Sequence, residues 1–131
     1  VKKLQIEARI IGDMCLNHVI PAAVRYQNIL IENVKGMKDI FGDDYLNYCA
    51  SEIETLKKIS TYINNVSADV EGLVEARKKA NRIEAIAERA KVYSYEVKDM
   101  MEKVRVSADN LEMLIDDEVW PLPKYRELLF F

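Results

Sequence analysis

Apolar residues recur at three- and four-residue steps along this chain, in three long runs. The first holds Leu4, Ala8, Ile11, Cys15, Val19, Ala22, Tyr26 and Ile29, the buried stripe of an amphipathic helix, and predicts a helix over about 2–35. Pro21 falls inside it. Proline lacks the amide proton and its ring clashes with the carbonyl four residues back, so a kink or break is expected there. Gly36 is placed to stop the helix in the left-handed conformation. The stretch Gly36–Gly42 reads as the clearest loop, and Asp43 or Asp44 as the cap of the next helix.

The second run carries Leu46, Cys49, Ile53, Leu56, Ile59, Ile63, Val66, Val70 and Leu73 and predicts a helix over about 44–80. Two breaks compete for its end, one near Asn64-Asn65 and one at Asn81. A break at Asn81 leaves three segments of about 35 residues, each about 50 Å long at 1.5 Å per residue. A break near Asn65 leaves one short helix and one long helix without a matching partner, so Asn81 is preferred. Asn81 is then expected to end one helix and cap the next, with Glu84 completing a capping box. The third run, Ile83, Ile86, Ala90, Tyr93, Val97, Met100, Val104, Ser107, Leu111 and Leu114, has the 3.5-residue mean spacing of a coiled-coil seam and predicts a helix over about 82–117. A tail, 118–131, follows. Pro121 and Pro123 favour an extended path in it.

The expected architecture is all-α: an antiparallel, up-down-up bundle of three long helices in a single domain, with an extended aromatic tail. Composition agrees. Four Gly and three Pro in 131 residues leave few turn formers for an all-β fold. At 50% hydrophobic the chain can bury a core without a metal or disulfide staple. A net charge of −3 argues against a basic nucleic-acid binder. Cys15 and Cys49 have apolar neighbours at helical spacing and read as reduced core cysteines of a cytoplasmic protein. The stretch Met14–Ile31 is interrupted by Asn17, His18, Pro21 and Arg25 and is no membrane span. Val1 opens directly into a helical pattern, as in a piece of something longer or one missing its initiator segment.

Catalytic chemistry finds little to stand on. A di-iron bundle needs Glu-x-x-His on two helices, and the chain has one histidine, His18. His18 lies beside the first stripe and reads as a partly buried, hydrogen-bonded structural residue. No nucleophile, base and orienting group come together, and the four single glycines make no phosphate cradle. Arg77, Lys78, Lys79 and Arg82 form a basic cluster that reads as a solvated helix end suited to the helix dipole. The tail is the informative segment: Trp120, Leu122, Tyr125, Leu128, Leu129, Phe130 and Phe131 put seven large apolar side chains in twelve residues. Such a patch marks an interface, either folded back onto the bundle near residues 36–42 or docked on another domain or subunit. Trp120, Leu122, Tyr125, Leu128 and Phe130 are the candidate docking residues.

Two stretches carry a resemblance. One runs from Asp13-Met14 through Val19-Ile20-Pro21-Ala22-Ala23-Val24-Arg25-Tyr26-Gln27. The other runs from Ala108-Asp109-Asn110-Leu111-Glu112 through Trp120-Pro121-Leu122-Pro123-Lys124-Tyr125-Arg126-Glu127-Leu128-Leu129-Phe130. In order and separation they resemble the C-terminal end of type III glutamine synthetases, the large-subunit bacterial form. The resemblance implies a parent enzyme that ligates ammonia to glutamate with ATP and a divalent metal, and that assembles as stacked hexameric rings. The family's metal-ligating glutamates, ATP-binding strands and arginines belong to the preceding catalytic domain, and none of those motifs is present here. The chain alone is therefore expected to be a non-catalytic helical portion without cofactor or metal, partnered by its own catalytic domain and by sister subunits, not by nucleic acid or membrane. The rival reading is a self-standing helical interaction module gripping a partner with its tail. A metal or cofactor bundle enzyme ranks third for want of ligands.

Overall fold

A computed structural model of the protein describes residues 2–115. Among the described residues every regular element is helical and no strand occurs. The elements fall into three helical runs. The first comprises α1 (Lys2–Met14), a wide π-helical turn over Cys15–Val19 and α2 (Ile20–Phe41). In the wide turn the Ile20 amide donates to the Cys15 carbonyl, five residues back. Pro21 has no proton to offer the Asn17 carbonyl and its ring crowds that group. The expected interruption therefore takes the form of an extra residue in the turn before Pro21. Pro21 itself sits in the first turn of α2, where a missing amide proton costs nothing.

The first loop is shorter than the glycines suggest. α2 passes through Gly36 and ends at Phe41, not near residue 35. Gly42 is the stop: its φ of 59° is backbone territory that side chains with a Cβ avoid. A single 3₁₀ turn, Gly42–Asp44, completes the connection, closed by the Tyr45 amide on the Gly42 carbonyl at 3.2 Å. The expected cap is absent, since neither Asp43 nor Asp44 caps α3; Asp44 instead accepts from the Asn47 side-chain amide. Aromatic packing closes the turn. The Phe41 and Tyr48 rings stack at 4.1 Å, and Lys38 Nζ lies 5.6 Å from the Tyr45 ring centre.

α3 spans Leu46–Asn81 and bends at Cys49, whose φ of −135° and ψ of 25° leave the helical region. Its end falls at Asn81, as the length argument preferred. The expected capping box does not form there. The next helix, α4 (Ile86–Val92), starts after Ala85 without a side-chain cap. Asn81 Oδ1 instead accepts the Tyr93 hydroxyl at 2.5 Å, and Arg89 Nε donates to the Ile83 carbonyl in the loop at 2.8 Å. A second π-helical turn, Tyr93–Val97, leads into α5 (Lys98–Glu112). The third run thus covers 86–112, not 82–117, because its start waits for the loop and its regular backbone ends at Glu112.

The runs meet at specific heights. A Cβ added at Gly12 would stand 3.8 Å from Val70, while Gln27 Nε2 donates to Ser60 Oγ at 2.8 Å. α3 also meets the third run: Lys79 pairs with Glu96 at 3.1 Å, Gly72 faces the Met100 methyl, and Asp69 accepts from Ser107. Side chains from all three runs share one core, among them Ala8, Cys15, Val19, Ile59, Val66, Leu73, Tyr93, Val97, Val104 and Leu111, each 0–3% exposed. Each large apolar side chain buried this way contributes about 1.5–3 kcal/mol relative to exposure.

Candidate interaction surface

Polar groups that could carry chemistry are mostly spent within the bundle. In the basic cluster at the end of α3, Lys78, Lys79 and Arg82 are exposed and partnered, whereas Arg77 is half-buried and its Nε is buried without a hydrogen-bond partner. Lys79 binds Glu96, Lys78 approaches Glu75 at 3.9 Å, and Arg82 Nε donates to the Lys78 carbonyl at 3.3 Å. These cations sit where the helix dipole favours them. Exposed pairs of this kind contribute at most about 1 kcal/mol each.

His18 departs from expectation. It is exposed and not partly buried, because the wide turn Cys15–Val19 directs Cys15 and Val19 into the core and leaves the residues between them outward. A shallow depression lined by Arg9, Ile10, Asp13, Met14 and His18 opens there. Cys15 and Cys49 are both buried and unbonded to each other. Burial pushes the Cys15 thiol up to about 11, which makes it a poor nucleophile at neutral pH. Burial also raises the Cys49 thiol, with Glu52 adding to the effect; Cys49 Sγ donates to the Tyr45 carbonyl at 3.2 Å. On α5, burial lifts the Asp109 carboxyl above its ordinary value, opposed by Arg105 and aided by Glu102. Among the described residues no group of three His, Cys, Asp or Glu is placed to hold a metal ion.

Exposed apolar surface is the feature that stands out. Ile6 and Ile10, one helical turn apart on α1, are 51% and 53% exposed and lie opposite the buried stripe. A second set follows the hairpin of α2 and α3: Ile29, Ile40, Phe41, Leu46 and Tyr48. Ile29 and Leu46 correct the sequence expectation, which placed them in the apolar stripes; the other members of the two sets were not singled out. The signal was present as Ile6 and Ile10 at helical spacing on the face away from Leu4, Ala8 and Ile11. The candidate docking residues Trp120, Leu122, Tyr125, Leu128 and Phe130, and the aromatic tail as a whole, lie outside the described residues.

Among the described residues the fold is helical and two groups of apolar side chains stand exposed on it, a kind of surface that marks contact with other protein. Comparison with known proteins places the chain. The family described as glutamine synthetase C-terminal domain matches residues 1–38. A glutamine synthetase of Bacteroides fragilis is 47% identical over 129 residues, 98% of this chain. A type-3 glutamine synthetase of Dictyostelium discoideum and a glutamine synthetase of Butyrivibrio fibrisolvens are each 27% identical over 98% of the chain. The chain spans about 18% of the length of each of these relatives. Along nearly its whole length the chain is thus similar to one part of glutamine synthetases, and over residues 1–38 to the family described as their C-terminal domain.

Proposed function

We propose that this chain is the non-catalytic C-terminal portion of a type III glutamine synthetase, a single helical domain that braces the catalytic domain or the contacts between subunits. The observation that carries the reading is the 47% identity to the Bacteroides fragilis glutamine synthetase across nearly the whole chain; the type-3 name of the Dictyostelium relative supports the subtype. In this reading the three runs form an antiparallel up-down-up bundle, supported by the opposed order of the pairs Gly12–Val70 and Gln27–Ser60, and of Lys79–Glu96 and Asp69–Ser107. The parent enzyme ligates ammonia to glutamate using ATP and a divalent metal, in the cytoplasm, as a homo-oligomer. ATP and metal would be held by the rest of the parent, since the described residues offer neither a carboxylate cluster nor a glycine-rich phosphate loop. No described helix is long and apolar enough to cross a membrane.

The bracing role draws on Ile6 and Ile10. Two isoleucines presented side by side on an outer helix face gain about 25 cal/mol for every Å² removed from water. The test pairs activity with assembly. The chain alone is expected to form no glutamine from glutamate, ammonia and ATP. In the full-length enzyme, Ile6→Asp with Ile10→Asp is expected to shift the assembled species toward smaller masses in analytical ultracentrifugation, or to loosen the catalytic domain to limited proteolysis. Glutamine formation by the chain alone, or a double variant with unchanged assembly and proteolysis, would contradict the proposal.

A further inference from the structure

The two ends of α3 carry opposite charge. At the α2–α3 hairpin, residues 39–54 hold Asp39, Asp43, Asp44, Glu52 and Glu54 and no Lys or Arg. At the far end, residues 77–91 hold Arg77, Lys78, Lys79, Arg82, Arg89 and Lys91 against only Glu84 and Glu88. Surface pairs blunt both ends, Glu54 with Lys57, Lys78 with Glu75 and Lys79 with Glu96. Among the described residues no ion pair takes Asp39, Asp43, Asp44 or Arg82. The ends stand about 50 Å apart along the helix at 1.5 Å per residue. The screening length at physiological salt is about 8 Å, so the two charges do not satisfy each other within one molecule. Both ends also show apolar side chains to solvent. Ile40 is 75% exposed beside the Phe41–Tyr48 stack, and Ile86 is 80% exposed at the start of α4. A depression lined by Glu75, Ala76, Lys79 and Arg82 opens at the basic end.

We propose that the chain binds a second copy of itself head to tail, the acidic hairpin of one copy docking on the basic end of α3 and the α3–α4 loop of the next. A symmetric contact through either end would bring like charges together, which costs several kcal/mol when they are juxtaposed. Opposite ends attract, and a contact between two different patches is the heterologous kind. Ile40, Phe41 and Tyr48 on one side and Ile86 on the other supply its apolar centre, with carboxylates and cations as the rim. The turn at Gly42 and the Phe41–Tyr48 stack already fix the hairpin, so little ordering is left to oppose binding. A contact limited to a hairpin tip and a helix end belongs to the small class, under about 1,200 Å², in which association is weak and transient. The inference rests on the reading that this portion serves contacts between subunits, and it names the partner and the face. That face is distinct from Ile6 and Ile10 on α1.

Sedimentation of the whole chain tests this. Its mean mass is expected to rise with concentration at low salt, and its self-affinity to fall about tenfold or more at high salt, where the attraction is screened. Asp39→Lys with Asp43→Lys, both at exposed positions of the hairpin, is expected to abolish association. Lys78→Glu with Arg82→Glu, exposed at the other end, is expected to do the same. Mixed together, the two double variants are expected to pair one to one, because each supplies the surface the other lacks; a misfolded variant could not restore the contact. Ile6→Asp with Ile10→Asp is expected to leave association unchanged, which keeps a failure here separate from a failure of the bracing face. A chain that stays monomeric, an association indifferent to salt or to either charge reversal, a mixture that does not restore it, or an association lost only when Ile6 and Ile10 are replaced would overturn the proposal.

Discussion

The molecule has two regions built from the same kind of helix but held in different ways. Where three runs overlap, Ile59, Val66, Tyr93, Val104 and Leu111 are fully buried. Where, among the described residues, only α2 and α3 continue, the helices lean on the Phe41–Tyr48 stack, the turn at Gly42 and one buried residue, Cys49. Two helices give each other one face of cover, and a third supplies the second. The difference shows that helix length alone does not decide where a core is. α3 runs for 36 residues with a kink at Cys49, and its first dozen residues belong to the weaker region and the rest to the stronger.

Truncation in the three-run region should give the largest effect. Leu111→Ala is expected to lower stability by about 2–5 kcal/mol, the usual range for deleting a buried leucine, read from chemical denaturation. A loss below 1 kcal/mol would mean that the third run is not part of the core. The two cysteines separate the regions next. Both are buried and both thiols are raised, so alkylation needs local opening. Cys49, at the bend in the hairpin, is expected to react about tenfold or more faster than Cys15, equivalent to about 1.4 kcal/mol in opening free energy. Labelling of the Cys15→Ser and Cys49→Ser variants measures this, and equal rates would erase the distinction.

Much of this contrast could be read from the chain. The stripes placed three helical runs, and the length argument put the second break at Asn81. Other features depended on packing that no local pattern contains. Gly36 and Gly42 are equal candidates for a helix stop in sequence. The helix passes through Gly36 and stops at Gly42, where φ turns to 59° beside the Phe41–Tyr48 stack. Asn81 looked like a cap, but its side chain is taken by the Tyr93 hydroxyl from the facing run. His18, beside the stripe, read as partly buried, but it lies exposed in the wide turn before Pro21. The spacing of Ile6 and Ile10 opposite the stripe was legible in the sequence, whereas the exposure of Ile29 and Ile40 depended on what packs beside α2.

Smaller effects sharpen the stronger region. Tyr93→Phe removes the hydroxyl bond to Asn81 and keeps the ring. It is expected to cost about 1 kcal/mol, and no loss on denaturation would show that this bond does not hold the α3–α4 loop. Asp109 should give the smallest effect. Its folded carboxyl binds a proton more tightly than the unfolded one, so its contribution is favourable at low pH and is lost as pH rises through the raised value. Asp109→Asn is therefore expected to raise the melting temperature slightly at pH 7 and to make no difference at pH 3. A fall at pH 7 would reverse the assigned cause.

Hydrogen exchange across the whole chain tests the two-region account most directly. Amides of residues 59–73 and 97–111 are expected to exchange slowest, opening only with global unfolding, while those of 30–56 exchange faster through local opening. Uniform protection along α3, with no step between its first dozen residues and the rest, would contradict it.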